Sequence, residues 1–266
     1  MSVTPSQPPV RNTSGATSDY PFGPLADCGY GNPFFYHCFS DDFDNSLGAT
    51  GLWTVSGAGG GTVANTSGDG GLALFTTGAT ATNFESIQTP AAGFTLPQGA
   101  LYGKKEFFLT RLQLSDVVNS AFVAGLCLID TTPFTAITDG VWFYKASGGT
   151  VLQIVSAIGG VSTTINIPTA AYSLVNATNI DLGWYIDRLG NLNVFVGAQL
   201  VGYVSPSGTG AVNSAGVPLI PTVGRALQVQ NLTFSTANLA PTLGIQTSAA
   251  AAKTMTVDFV TAMKER

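Results

Sequence analysis

The sequence predicts an all-β protein, an antiparallel β-sandwich preceded by an extended amino-terminal arm. Three observations predict it. Turn signals recur about every 8–12 residues from position 36 onward, the spacing of a sandwich or barrel. The composition of the 266 residues is rich in Gly (32 residues), Thr, Ser and Ala, with 45% hydrophobic residues, a mixture that disfavours helix interiors and suits short strands. Several segments alternate apolar and polar residues with period two, and no run of ten or more residues carries a helical repeat.

The elements follow in order. Residues 1 to about 35 hold Pro5, Pro8, Pro9, Pro21, Pro24 and Pro33 among Ser, Thr and Gly, without apolar periodicity. Such a segment buries too little surface to order itself, and reads as an arm. From residue 36 the strands begin: "LALFTTG", "NFESIQTP", "KKEFFLTRLQLSDVV", "SAFVAGLCLID", "GVWFYKA", "TVLQIVSAIGG" and "VSTTINIP". "IDLGWYID", the turn "RLGN" and "LNVFVGAQLVGYV" form the clearest hairpin, and "GRALQVQNLTF", "LAPTLGIQT" and "KTMTVDFVTAMKER" close the chain. In the hairpin, Leu192, Val194 and Val196 share one face and Asn193 and Phe195 the other. In the last strand, Met255, Val257, Phe259 and Thr261 oppose Thr254, Thr256, Asp258 and Val260. The tract Ala249–Ala252 is too short for a stable helix and reads as loop. "GAGGGTVANTSGDGG" lacks the Lys-Ser/Thr of a phosphate loop and reads as a flexible loop or bulge.

Charge narrows the function. Only 9% of residues are charged, against about 25% in an ordinary domain. The net charge of −5, a pI near 4.6 and ten scattered Lys and Arg leave no basic stripe for nucleic acid. No apolar segment has the length of a membrane span or the pattern of a secretory signal. A surface this poor in charge is poorly protected against association, and so is expected to be covered by partners. Cys28, Cys38 and Cys127 are too few for a disulfide framework and read as buried thiols, with a Cys28–Cys38 link left open.

A first strand ending in "DDF", a short loop to "LW", a chain of antiparallel strands, the late "DRLGNLNVFVGAQLV" hairpin and a final "VDFVTAMKER" resemble the concanavalin A-like (laminin-G-like) jelly-roll sandwich. The resemblance covers roughly residues 36–266 and implies that the first and last strands lie side by side. With low charge and a Pro-rich arm, the chain is similar to bacteriophage virion proteins, especially capsid decoration or cement proteins. That resemblance implies a non-enzymatic protein of the capsid surface, made in the host cytoplasm. Its partners would be the major capsid protein and further copies of itself, a trimer being one arrangement. The arm aromatics Tyr20, Phe22, Tyr30, Phe34 and Phe35 would then fill pockets on a neighbour, with Tyr36 at the arm's end. The alternative is a carbohydrate-binding module for host attachment.

Each candidate site also has a simpler structural role. Glucanases of this fold carry Glu-x-Asp-x-x-Glu on one strand, whereas Glu85, Glu106 and Glu265 stand alone on separate segments. No pair is proposed by sequence at the spacing glycoside hydrolysis needs. Asp41, Asp42 and Asp44 are the calcium candidates. Asp42-x-Asp44-x-Ser46 begins like an EF-hand loop, but Leu47 replaces its Gly and Trp53 its final Glu. The simpler expectation is that Asp42 and Asp44 are solvated or accept bonds from turn N–H groups. His37 and Cys38 are strand neighbours, so their side chains point to opposite faces and form no dyad. Trp53, Trp142 and Trp184 lie in apolar patterns and are expected in the core; an exposed Trp142 or Trp184 beside carboxylates would instead mark a sugar site. "NTS" at Asn65, "NAT" at Asn176 and "NLT" at Asn231 match the glycosylation pattern, which carries little without a secretory signal. No cofactor is expected.

Overall fold

A computed structural model describes residues 36–44, 47, 51–68, 70–97, 104–135, 137–167, 169, 172–187, 190–197, 199–205, 228–230 and 234–266. These residues form sixteen strands. They are β1 (Tyr36–Asp41), β2 (Thr54–Ala58), β3 (Thr62–Thr66), β4 (Leu72–Thr76), β5 (Phe84–Gln88), β6 (Glu106–Leu114), β7 (Ser120–Cys127) and β8 (Gly140–Lys145). Then come β9 (Leu152–Ile158), β10 (Val161–Asn166), β11 (Ile180–Ile186), β12 (Leu192–Val196), β13 (Gln199–Ser205), β14 (Gln228–Gln230), β15 (Ala240–Thr247) and β16 (Thr254–Glu265).

The strands make two sheets. One has nine strands in the order β14-β13-β12-β11-β6-β16-β4-β3, with β1 also on β16; the other has seven in the order β10-β9-β8-β7-β15-β5-β2. Every pairing is antiparallel except the short parallel contact of β13 with β14. The first and last strands lie side by side as the resemblance implied, Tyr36 opposite Glu265 and Asp41 opposite Val260.

Between the sheets lies one large apolar layer. Phe75, Phe108, Phe122, Phe143, Leu182, Trp184, Leu243 and Val257 are among its almost fully buried members. Burying each such side chain contributes about 1.5–3 kcal/mol. Leu192, Val194 and Val196 belong to this layer, while Phe195 packs on the outside with Leu109, as the alternation predicts.

The structure departs from the sequence pattern at two places. In β16 the register against β6 shifts between Val257 and Phe259, so Asp258 is an extra residue and the faces exchange. Met255 and Val257 point inward before the shift, and Val260 and Ala262 after it. Phe259 and Thr261 therefore leave the core face, and Phe259 packs beside Leu109 and Phe195 on the outside. The glycine-rich stretch, for its part, is not simply a loop: it holds the end of β2 and all of β3, which belong to different sheets, and the turn at Gly59–Gly61 crosses between them. Gly59 and Gly60 hold φ of 93° and 75°, which only glycine adopts without strain.

Candidate functional site

The acidic stretch at the end of β1 is brought together by the fold. Asp41, Asp42 and Asp44 each place a carboxylate oxygen within 4.8 Å of the others. Asp41, however, already uses both oxygens: Oδ1 accepts from the Phe43 N–H at 2.9 Å and Oδ2 from the Trp53 indole N–H at 2.5 Å. Phe43 sits at φ 57°, an uncommon conformation for a bulky residue, and is 1% exposed. Its ring lies 5.9 Å from that of Trp53. Asn65 on β3 closes the arrangement, accepting from the Leu47 N–H and donating to the Phe43 carbonyl. The carboxylate that matters is thus Asp41, which buckles the first loop onto the sandwich. Asp42 and Asp44 are exposed.

The three glutamates are kept apart. Glu85 belongs to the seven-stranded sheet and Glu106 to the nine-stranded sheet, both buried, while Glu265 ends β16 and accepts from the Lys105 N–H. Burial pushes the Glu106 carboxyl up to about 8, against the attraction of Lys264 opposite it. Lys145, also fully buried, donates to the carbonyls of Ser120, Ala146 and Gly149 and ties the ends of β7, β8 and the β8–β9 turn together. Desolvation brings its amine down to about 8.

All three tryptophans are buried, as expected, but in different places. Trp53 and Trp184 belong to the central layer. Trp142 lies on the outer face of the seven-stranded sheet with Val123, Cys127, Val155 and Ala157, under Phe134 and Ile137 of the β7–β8 connection. Cys127 is buried as predicted; Cys38 is exposed, because β1 lies at a sheet edge. His37 packs its ring 4.9 Å from Phe94. The arm anchors Tyr20, Phe22, Tyr30, Phe34 and Phe35, together with Cys28, lie outside the described residues.

Beside Trp142 a groove of about 390 Å³ opens on the same outer face. Its floor and walls include Phe134, Trp142, Tyr144, Gln153, Ser162 and Thr164. Gly125 lets Trp142 lie close across the sheet, since a Cβ there would come 2.4 Å from the Trp142 backbone. Of the strand residues in this sheet only Glu85 and Lys145 are charged, and both share the face of core neighbours, Ile87 and Phe143. The outer face of its strands therefore carries no charge. Sequence reasoning missed this surface, because alternation separates two faces without telling which one a loop will roof.

No family model matches the chain, and no curated protein matches it by sequence. Solved structures do. The globular domain of T. cruzi calreticulin aligns with a TM-score of 0.51 at 13% identity, over 84% of this chain and 87% of that one. A Bacillus licheniformis β-glucanase aligns at 0.49 and 11% identity, over 85% and 97%. Arcelin-5, a lectin-like defense protein from Phaseolus vulgaris, aligns at 0.49 and 9%, over 87% and 98%. At 13% identity the calreticulin likeness is one of fold: the chain is an antiparallel jelly-roll β-sandwich of two sheets.

Proposed function

We propose that this is a non-enzymatic virion structural protein, a capsid decoration or cement protein that clamps neighbouring capsid subunits through its arm and its sandwich. The observation that supports the reading best is the state of the sheet edges. Three of the edge strands, β2, β3 and β10, read TVSGA, TVANT and VSTTIN, without one charged residue or proline. Stand-alone domains blunt such edges with Lys, Pro or bulges, because open N–H and C=O groups invite strand addition. An assembly protein uses the same groups, gaining main-chain hydrogen bonds without a pocket. The partners on this reading are the major capsid protein and further copies of the chain, on the capsid surface. An arm that bridges two subunits raises the effective concentration of one for the other and slows dissociation.

The test is co-sedimentation with assembled capsids that lack this protein, comparing the full chain with one missing residues 1–35. The full chain should pellet with the capsids and raise their heat resistance, and the truncated chain should bind more weakly. If neither form pellets, the clamp is wrong.

One observation favours a second reading, a carbohydrate-binding module for host attachment. The neutral groove pairs the aromatic rings of Trp142, Tyr144 and Phe134 with the amide of Gln153 and the hydroxyls of Ser162 and Thr164, the mixture that sugar recognition uses. A glycan-array screen tests it, with Tyr144→Ala as the control that should abolish any signal. A signal that survives that substitution places sugar binding elsewhere.

A further inference from the structure

The free edge of β10 points to a contact between two copies of this chain. Strand β10 pairs with β9 through the two-residue turn Gly159–Gly160, whose φ values of 56° and 84° suit a type I′ hairpin. In such a hairpin the residues flanking the turn, Ile158 and Val161, exchange both main-chain hydrogen bonds, and the pattern then alternates. The Ile167 N–H, six residues on, donates to the Leu152 carbonyl and keeps that phase. Residues 161, 163 and 165 thus spend their main-chain groups on β9. Ser162, Thr164 and Asn166 turn theirs outward, where no strand among the described residues meets them.

We propose that two copies join edge to edge through β10, antiparallel about a two-fold axis at Thr164, merging their seven-stranded sheets. This register sets Thr164 against Thr164 of the second copy and Ser162 against Asn166 on either side. Three reciprocal pairs of two bonds each then satisfy every outward group of the strand. A second copy fits better than a charged partner for two reasons. Neither β9 (LQIVSAI) nor β10 carries a charge, so two identical edges meet without like charges opposed. In addition, Val161, at 77% the most exposed of the large hydrophobic side chains described, would face Ile167 of the second copy across the joint. The two grooves, each lined by Ser162 and Thr164, would then lie side by side. The contact deepens the assembly reading but is read in the free protein. Failure of capsid binding would leave it standing, and its own failure would leave the clamp standing.

Sedimentation velocity of the full chain against concentration is the test, with Thr164→Pro as the main variant. Because the Thr164 N–H faces away from β9, proline removes an outward donor and leaves the β9–β10 ladder intact. Thr164→Lys is the second variant, should proline disturb the fold; it keeps the backbone and places like charges together. The wild-type chain should reach twice its 27.3 kDa mass, and both variants should stay monomeric with the melting temperature of dilute wild type. Amide exchange at residues 162, 164 and 166 should slow in concentrated wild type alone. A wild type that is monomeric throughout overturns the proposal. So does an oligomer that persists in both variants, or one lost only when residues 1–35 are removed.

Discussion

The two outer faces of the sandwich differ in one respect that bears on everything else. The nine-stranded sheet shows solvent an ion-pair ladder: Arg111 reaches Asp181 at 2.6 Å and Asp258 at 3.3 Å, with its guanidinium 5.7 Å from the Phe259 ring centroid. The strands of the seven-stranded sheet put no charge on its outer face, which carries a loop-roofed apolar cluster around Trp142 and an open groove beside it. Both faces belong to the same chain and flank the same core. The scarcity of charge is therefore not spread evenly; it is concentrated where hydrogen-bonded and apolar contact can be made.

Single substitutions test that contrast. The largest effect is expected at Trp142→Ala. If the neutral face is a packed second layer, losing its central ring costs about 3–5 kcal/mol in urea unfolding. A cost below about 1 kcal/mol would mean that the β7–β8 connection merely drapes over it. Next comes Asp41→Ala on the edge strand of the charged sheet, which removes two hydrogen bonds to one carboxylate. It should cost about 1–3 kcal/mol and shift Trp53 fluorescence; an unchanged spectrum would refute the buckle.

The inner layer supplies a pH-dependent test. The native protein holds the Glu106 proton up to about pH 8, whereas the unfolded chain releases it near 4.5. Native protein binds more protons across that window, so this carboxyl's contribution to stability falls as pH rises through it and is level above. Glu106→Gln should flatten the decline in urea midpoint between about pH 5 and pH 8. A decline of the same slope in the variant would assign it to other groups. The smallest effect belongs to Arg111→Ala on the charged face. Its partners Asp181 and Asp258 are 35% and 27% exposed, so the loss should stay below about 1 kcal/mol and shrink further in salt. A larger cost would show that this face, too, is structural.

Much of the fold was legible because the strands obey simple alternation. Leu192, Val194 and Val196 fell inward, the first and last strands paired, and the tryptophans were buried. Alternation failed at Phe259, since one inserted residue reverses every later side chain and Asp258 carries no mark of a bulge. It was equally silent about Cys38, whose exposure depends on β1 being an edge, a fact set by strand order. The acidic stretch was the wrong kind of signal. Its three carboxylates drew attention as a set, while its structural content lay in Asp41 and an indole twelve residues on. The groove was the least legible feature, because it needs β7 to β10 and a roofing loop assembled first.

The antiparallel seam between β1 and β16 has a mechanical meaning. Residues 1–35 join the sandwich at Tyr36, the outer end of a strand matched to its neighbour at six positions. Tension drawn along β1 would load all six together, because their hydrogen bonds lie across the direction of pull. Tension drawn sideways would peel them one after another from Tyr36. A tether fixed this way resists force along one axis and yields along another, so the angle at which it is pulled sets its strength.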